Sequence, residues 1–223
     1  MVKIESYMQE LIGKLQEKFA ERLLYVGLQG SYLRREETEN SDIDVMVVIE
    51  GLCVADLDAY RNIIGSMDEP DKACGFICSG LDLANWNPLE ISNLIHGTKD
   101  CFGKLRPLVP AYTEQDMKNY IKISLNNLYH ELCHRYIHAD RNTNLSQLPC
   151  CYKGVFFILQ NLHHLRYGDF IPSQAELLTL LSGRDRAVLE RAARLGEGGE
   201  YDFQDSFELL FCWCQDTLIK LSN

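Results

Sequence analysis

Two aspartates, Asp42 and Asp44, stand two positions apart in an apolar stretch that ends at Ile49. Side chains at positions i and i+2 of a β-strand point to the same face, so both carboxylates would project together while Ile43 and Val45 point into a core. Adjacent carboxylates repel each other unless a cation lies between them, and hard divalent ions bind carboxylate oxygens. The pair therefore predicts a site for Mg²⁺ or Mn²⁺.

A Gly-Ser turn, Gly30 and Ser31, precedes the pair and follows a predicted strand at residues 23–29. Glycine lets the backbone approach a ligand closely, and a short helix after the turn would direct free N–H groups at an anion. Arg34 lies in the same region, where it either binds phosphate or remains in solvent. A phosphate-binding turn beside a magnesium site is the arrangement that a nucleoside triphosphate requires.

The order Gly-Ser, ten further residues, then Asp-apolar-Asp resembles the signature of the nucleotidyltransferase superfamily, which has the DNA polymerase beta-like fold. Ser41 also fits the Ser-Asp-Ile-Asp form of small bacterial members, and the layout resembles that of kanamycin-type antibiotic nucleotidyltransferases. Relatives often have a second glycine in the region where Arg34 and Arg35 stand here. The resemblance implies an enzyme that transfers a nucleoside monophosphate from a Mg²⁺-bound triphosphate to a hydroxyl of a small, aminoglycoside-like molecule or of a protein side chain.

The resemblance also implies a role for each matching residue. Asp42 and Asp44 would hold Mg²⁺ or Mn²⁺, while Gly30, Ser31 and Arg34 would bind the triphosphate. The alternative is a nucleotide-binding regulatory protein without turnover, which would keep the metal pair but lack a working third carboxylate.

The superfamily usually places a third carboxylate on or beside a later strand, and Asp82 in Leu-Asp-Leu-Ala is the candidate here. It would complete the metal site or act as the base that takes the proton of the acceptor hydroxyl. A purely structural alternative is that Asp82 caps a helix. Glu90 is a second candidate, although Pro88 two positions earlier is also typical of a helix start.

The chain has 223 residues, a net charge of −10 and nine cysteines. The acidic balance argues against a long nucleic acid as partner, because phosphate binding needs a basic track. No apolar stretch has the length of a membrane span, and the first residues lack the cationic start and apolar block of a signal peptide. An odd number of scattered cysteines is typical of reduced thiols, so we expect a cytoplasmic protein.

Hydrophobic periodicity predicts an α+β protein, with a small mixed β-sheet domain and flanking helices at residues 1–106 and an all-α bundle at residues 107–223. The proline-rich segment Lys104–Thr113 separates the two. Strands are expected at about residues 23–29, 43–49 and 74–78. Helices are expected at about residues 4–19, 55–66, 113–139, 151–167, from 173, 185–195 and 203–221, with a loop at 140–149.

The second domain contains a competing motif. His130, Glu131 and His134 form the His-Glu-x-x-His pattern of zinc peptidases on a predicted helix, and His138 continues the same face. No residue at the expected spacing supplies a third ligand, so a zinc peptidase is a remote alternative. Glu131 and His134 are instead candidates for an acceptor site, and Lys153 is a candidate that either reaches the triphosphate or remains in solvent.

Overall fold

The computed structural model describes residues 2–222. In it the chain folds into two compact units. The chain divides between Tyr112 and Thr113, whereas the boundary expected from the sequence lies between residues 106 and 107. The first unit contains a β-sheet with helices and the second unit is helical, so the predicted α+β class is confirmed.

The first unit is built on a mixed sheet, which in the described residues has four strands in the order β3-β2-β1-β4. Strand β2 runs antiparallel to β1 and parallel to β3, and β4 runs antiparallel to β1. The strands are β1 (Leu23–Leu28), β2 (Ile43–Ile49), β3 (Ala73–Cys78) and β4 (Lys99–Phe102). The helices of this unit are α1 (Ile4–Phe19), α2 (Gly30–Arg34), α3 (Val54–Gly65), α4 (Gly80–Ala84) and α5 (Pro88–His96).

Strand β2 lies inside the sheet and is buried on both faces. Val45 belongs to one buried cluster together with Leu11 of α1, and Met46 belongs to a second cluster together with Leu83 of α4. Alternate residues of a strand point to opposite faces of the sheet. A shift of the β2 register by one residue would therefore direct Asp44 into the cluster that contains Leu11. Burial on both faces therefore fixes the direction in which the aspartate projects.

The second unit packs its helices around a core that contains Tyr152 and Trp213, both almost completely buried. The Tyr152 hydroxyl donates a hydrogen bond to the carbonyl of Ser206 at 2.7 Å, which satisfies the polar end of this core side chain. The helices are α6 (Glu114–His138), α7 (Arg141–Tyr152), α8 (Val155–Tyr167), α9 (Gln174–Leu180), α10 (Gly183–Gly196) and α11 (Phe203–Ser222). No helix among residues 2–222 is both long and apolar enough to cross a membrane.

The prediction of a loop at residues 140–149 is wrong, because α7 begins at Arg141. Asp140 caps this helix by accepting hydrogen bonds from the backbone N–H groups of Asn142 at 2.9 Å and Thr143 at 3.0 Å. Leu148 is buried in the core of the unit. The cap and the buried anchor therefore outweigh the low helix propensity of an Asn-rich segment that contains a proline.

Strand β4 has no counterpart among the strands expected from the sequence. Its four residues, Lys-Asp-Cys-Phe, show little apolar alternation, and the strand exists through pairing with β1, where Asp100 lies opposite Gly27. A four-residue segment that becomes a strand by pairing with a distant strand has no recognisable strand pattern in its own sequence.

Candidate active site

Asp44 lies in β2, and Asp42 immediately precedes this strand. The segment before it is held by a turn, in which the Thr38 N–H donates to Oγ of Ser41 at 2.8 Å and the Ser41 N–H donates to the Thr38 carbonyl at 3.1 Å. Asp42 is exposed and Asp44 is half-buried. Burial raises the pKa of Asp44, and the nearby charge of Asp42 raises this pKa further. A cation at this position would relieve both effects.

The Gly-Ser turn lies directly against Asp44. The backbone N–H of Gln29 donates to the carbonyl of Asp44 at 2.8 Å, so the end of β1 is tied to the aspartate. Gly30 follows with a φ of 68°, and a Cβ atom at this position would lie 1.9 Å from Oδ2 of Asp44. Only glycine satisfies both the backbone conformation and the close contact.

Arg34 belongs to the same site. It is half-buried at the end of the short helix α2, and its Nε donates to Oε2 of Glu36 at 3.1 Å. The positive charge of Arg34 acts on Asp44 and partly offsets the effects that raise the pKa of this carboxyl. Ser31 lies in the first turn of α2 and is half-buried. The structure thus places Gly30, Ser31 and Arg34 at the end of β2 that carries the aspartates, whereas Lys153 belongs to the second unit.

Cys74 is a residue of this site that the sequence analysis did not identify. Strands β2 and β3 are parallel, and their register places Cys74 opposite Asp44. Burial raises the pKa of Cys74, and the negative charge of Asp44 adds to this rise. The predicted strand at residues 74–78 contained the cysteine, but pairing between distant strands cannot be derived from one sequence.

Asp82 serves as a helix cap in this structure. Its Oδ2 accepts a hydrogen bond from the backbone N–H of Ser79 at 3.0 Å, while the Asp82 N–H donates to Oγ of Ser79 at 3.0 Å. Hydrogen bonding of the carboxylate to the side chain and the backbone N–H of Ser79 holds the pKa of Asp82 below its usual value. The reserve candidate Glu90 accepts a hydrogen bond from the Trp86 indole N–H at 2.6 Å. Both carboxylates have structural partners of their own.

No group of three or more His, Cys, Asp or Glu side chains within residues 2–222 is arranged to hold a metal ion. Asp82 therefore does not join the aspartate pair as a ready third ligand. Any cation at the pair would depend on oxygen atoms from a bound substrate or from water.

Three histidines of the second unit, His130, His134 and His138, share one face of α6, and all three are exposed. The ring centroids of His130 and His134 lie 6.0 Å apart, and those of His134 and His138 lie 4.8 Å apart. Glu131 is engaged with Arg135, whose Nε donates to its Oε1 at 2.8 Å. Lys153 follows the end of α7 and is exposed.

Comparison with known proteins identifies the fold. No protein-family model matches the sequence, and no curated protein matches it. Among solved structures, the chain is similar to spectinomycin adenyltransferase AAD(9) from Enterococcus faecialis, which was crystallised with ATP and spectinomycin. The TM-score is 0.59 at 14% sequence identity, and the similarity covers 96% of this chain and 99% of that chain. The resemblance to antibiotic nucleotidyltransferases is therefore confirmed at the level of the fold.

Proposed function

We propose that this protein transfers a nucleoside monophosphate, with AMP as the first candidate, from a metal-bound triphosphate to a hydroxyl group of a small molecule, with cleavage of the α–β phosphoanhydride bond and release of pyrophosphate. The observation that carries the proposal is the close contact between Gly30 and Asp44. A Cβ atom added to Gly30 would lie 1.9 Å from the Asp44 carboxylate. A backbone turn this close to a carboxylate can hold a phosphate group beside a cation, and the cation would then bind both the phosphate and the carboxylate. The similar fold of an adenyltransferase crystallised with ATP supports the same conclusion.

The residues of the site fit a divalent cation. Mg²⁺ commonly binds one or two carboxylates together with substrate phosphates and water, and Asp42 and Asp44 supply such carboxylates from one end of β2. Burial raises the pKa of Asp44, and the negative charge of Asp42 adds to this rise, so a cation beside the pair would stabilise the ionised carboxylates. When bound, Mg²⁺ or Mn²⁺ would neutralise phosphate charge and lower the pKa of the attacking hydroxyl.

The side chains around the pair have separate tasks in this proposal. Asp42 and Asp44 hold the cation and thereby fix the triphosphate. Gly30 and Ser31 bind the phosphates and orient the α-phosphorus for in-line attack, which reduces the entropy cost of reaction. Arg34 binds a phosphate oxygen, since its charge already acts at Asp44. None of these residues is the proposed base that accepts the hydroxyl proton.

Asp82 is the proposed base or additional ligand, and its Oδ2 already accepts a hydrogen bond from the Ser79 N–H. A substitution separates these possibilities. Loss of transfer in Asp82→Asn with unchanged nucleotide affinity would support a base, whereas loss of both would support a ligand. Unchanged transfer and affinity would assign Asp82 to the cap alone.

For the acceptor we propose a small hydroxylated cation of the aminoglycoside type. The net charge of −10 favours a cationic substrate, and the similar solved structure contains spectinomycin. In the second unit we propose Glu131 and His134 for acceptor binding and Lys153 for contact with the triphosphate. A hydroxyl on a protein side chain is the other acceptor to be tested.

The test is an acceptor screen with ATP and Mg²⁺, read by mass spectrometry. Spectinomycin, several aminoglycosides and a mixture of proteins are incubated with the purified chain and with Asp44→Asn. Addition of the mass of AMP to one acceptor, together with loss of this product in Asp44→Asn, is the expected result. Product formation that persists in the variant would contradict the assignment of the site.

A second candidate function is nucleotide binding without transfer. It is favoured by one observation, namely that Asp82 serves as a helix cap while Cys74, and no carboxylate, lies opposite Asp44 in the neighbouring strand. Such a protein would bind Mg²⁺ and ATP through Asp44 but give no product with any acceptor. The structure does not favour the zinc peptidase, because Glu131 is paired with Arg135 and the described residues offer no group of three ligands.

A further inference from the structure

The final turns of α6 carry three imidazoles, His130, His134 and His138, which we call the imidazole face. Their spacing of four residues places them one above another on the helix surface. The two ring pairs differ, however, because the centroids of His134 and His138 lie 4.8 Å apart whereas those of His130 and His134 lie 6.0 Å apart. The pair nearest the helix end is therefore the tighter one.

The shorter separation suits a shared metal ion. Metal–nitrogen bonds to zinc are about 2.1 Å long, so two imidazoles bound to one ion have ring centroids roughly 5 Å apart. The centroid separation of His134 and His138, 4.8 Å, meets this condition. The pair that belongs to the zinc-peptidase motif, His130 and His134, would have to close by about an ångström first.

The surroundings leave room for an ion and its water ligands. A surface cavity of about 480 Å³ lies on this face and is lined by His130, Glu131, His134, Arg135, His138 and Ala139. All three imidazoles are exposed, so a metal could reach them without unfolding any part of the unit. Borderline divalent ions such as Zn²⁺, Ni²⁺ and Cu²⁺ prefer imidazole ligands of this kind.

The local charge also favours a cation. Helix α6 ends at His138, and the carbonyl groups at a helix C-terminus carry a partial negative charge that stabilises cations in the last turn. Arg135, a positive side chain that lines the cavity, is paired with Glu131 at 2.8 Å, so its charge is partly compensated.

We propose that His134 and His138 bind one divalent transition-metal ion, with water at the remaining coordination positions. This site is distinct from the aspartate pair. It includes His134, which is proposed above for acceptor binding, so a bound ion would occupy part of that surface, but binding of the ion does not require nucleotidyl transfer. It also differs from a zinc-peptidase centre, because His130 is outside the pair and Glu131 is held by Arg135. The described residues form no group of three such ligands, which agrees with a site of two imidazoles completed by water.

The test is calorimetric titration of the full chain with Ni²⁺ and with Zn²⁺. Three single variants on the same exposed face, His134→Ala, His138→Ala and His130→Ala, are compared with the unchanged protein. We expect one bound ion per chain and an affinity at least tenfold weaker in His134→Ala and in His138→Ala. His130→Ala is the matched control and should change the affinity less than threefold.

Two further variants exclude other ligands of the chain. Cys133→Ser removes a thiol adjacent to His134, and Asp44→Asn removes a carboxylate of the proposed nucleotide site. Neither should change the affinity for Ni²⁺. With Cu²⁺, the electron paramagnetic resonance spectrum should show coupling to two nitrogens in the unchanged protein and fewer in His138→Ala.

Several results would overturn the proposal. Absence of stoichiometric binding would do so, as would an unchanged affinity in His138→Ala. A loss in His130→Ala equal to that in His134→Ala would assign the ion to the zinc-peptidase pair. Circular dichroism of each variant confirms that α6 is still folded, so a loss of affinity is not mistaken for unfolding.

Discussion

Gly30 and Asp44 are in such close contact that the candidate site depends on the absence of a side chain at position 30. The φ angle of Gly30 is 68°, and a Cβ atom would lie 1.9 Å from Oδ2 of Asp44. The turn after β1 and the carboxylate of β2 are therefore fixed relative to each other by one glycine. A substitution here should act on the metal-binding carboxylate as well as on the backbone.

We predict that Gly30→Ala abolishes binding of ATP with Mg²⁺, because the new methyl group must displace the Asp44 carboxylate. The left-handed backbone conformation adds a cost of about 1–2 kcal/mol in the free energy of unfolding. Gly51→Ala is the matched control, since Gly51 also has a positive φ of 57° but an added Cβ meets no atom within 4 Å. Thermal unfolding and isothermal titration with ATP provide the two measurements.

Both glycine variants should lower the unfolding midpoint by several degrees, since about 1 kcal/mol corresponds to 2–4 °C for a chain of this size. Only Gly30→Ala should lose nucleotide affinity. Equal ATP binding in the two variants would show that the contact between Gly30 and Asp44 has no part in the site.

Cys74 should influence which metal ion the aspartate pair accepts, because it lies opposite Asp44 in the neighbouring strand. Cys74→Asp would place a further carboxylate beside the pair, and repulsion should lower the unfolding midpoint without metal. Addition of Mg²⁺ should then raise the midpoint of Cys74→Asp more than that of the unchanged protein, because carboxylate oxygens are the ligands that Mg²⁺ prefers. Cys74→Ser is the control for loss of the thiol. An identical response to Mg²⁺ in the Asp and Ser variants would contradict this role.

The ion pair between Arg22 and Asp56 should make the stability of the first unit depend on acid. Arg22 Nη1 and Nη2 donate to the two carboxylate oxygens of Asp56 at 3.1 and 2.5 Å, and the Cys53 N–H donates to Oδ2 at 3.0 Å. The hydrogen bond from Arg22 is the main reason that the pKa of Asp56 lies below its usual value.

A lowered pKa in the folded state stabilises the protein above the pKa of the unfolded state, which is about 3.9 for aspartate, and the contribution disappears as the pH falls further. We therefore predict that Asp56→Asn lowers the unfolding midpoint near pH 7. The difference between the two proteins should stay constant down to about pH 5 and shrink below about pH 4. Midpoints measured from pH 3 to pH 7 test this, and a difference that grows in acid would be the wrong sign.

The strands β1 and β2 could be predicted from the sequence, because their apolar runs are bounded by a glycine turn and by aspartates. Helix α7 was not predicted, although the Asp140 cap at its start is a local signal, because its stability depends on the burial of Leu148 in the core of the unit. Strand β4 depends on pairing with β1. In both cases the deciding contacts join residues whose proximity a single sequence does not record.

In the candidate site, too, some residues could be predicted from the sequence and others could not. The spacing of Gly30, Asp42 and Asp44 predicts residues that meet at one end of the sheet, because the turn and both carboxylates belong to neighbouring stretches of chain. The role of Asp82 could not be decided in this way, since a Ser-x-x-Asp cap and a metal ligand leave the same residue in the sequence. Cys74 becomes part of the site only through the register of β2 and β3.

The most direct test of the account is calorimetric titration of ATP in the presence and absence of Mg²⁺, with the unchanged protein, Asp44→Asn and Asp58→Asn. Asp58 is an exposed carboxylate of α3 and serves as the control. We predict binding that requires Mg²⁺, an affinity at least tenfold weaker in Asp44→Asn, equivalent to about 1.4 kcal/mol, and no change in Asp58→Asn. Binding of equal strength in the two variants, or none in the unchanged protein, would contradict the central claim that Asp44 forms a metal-dependent nucleotide site.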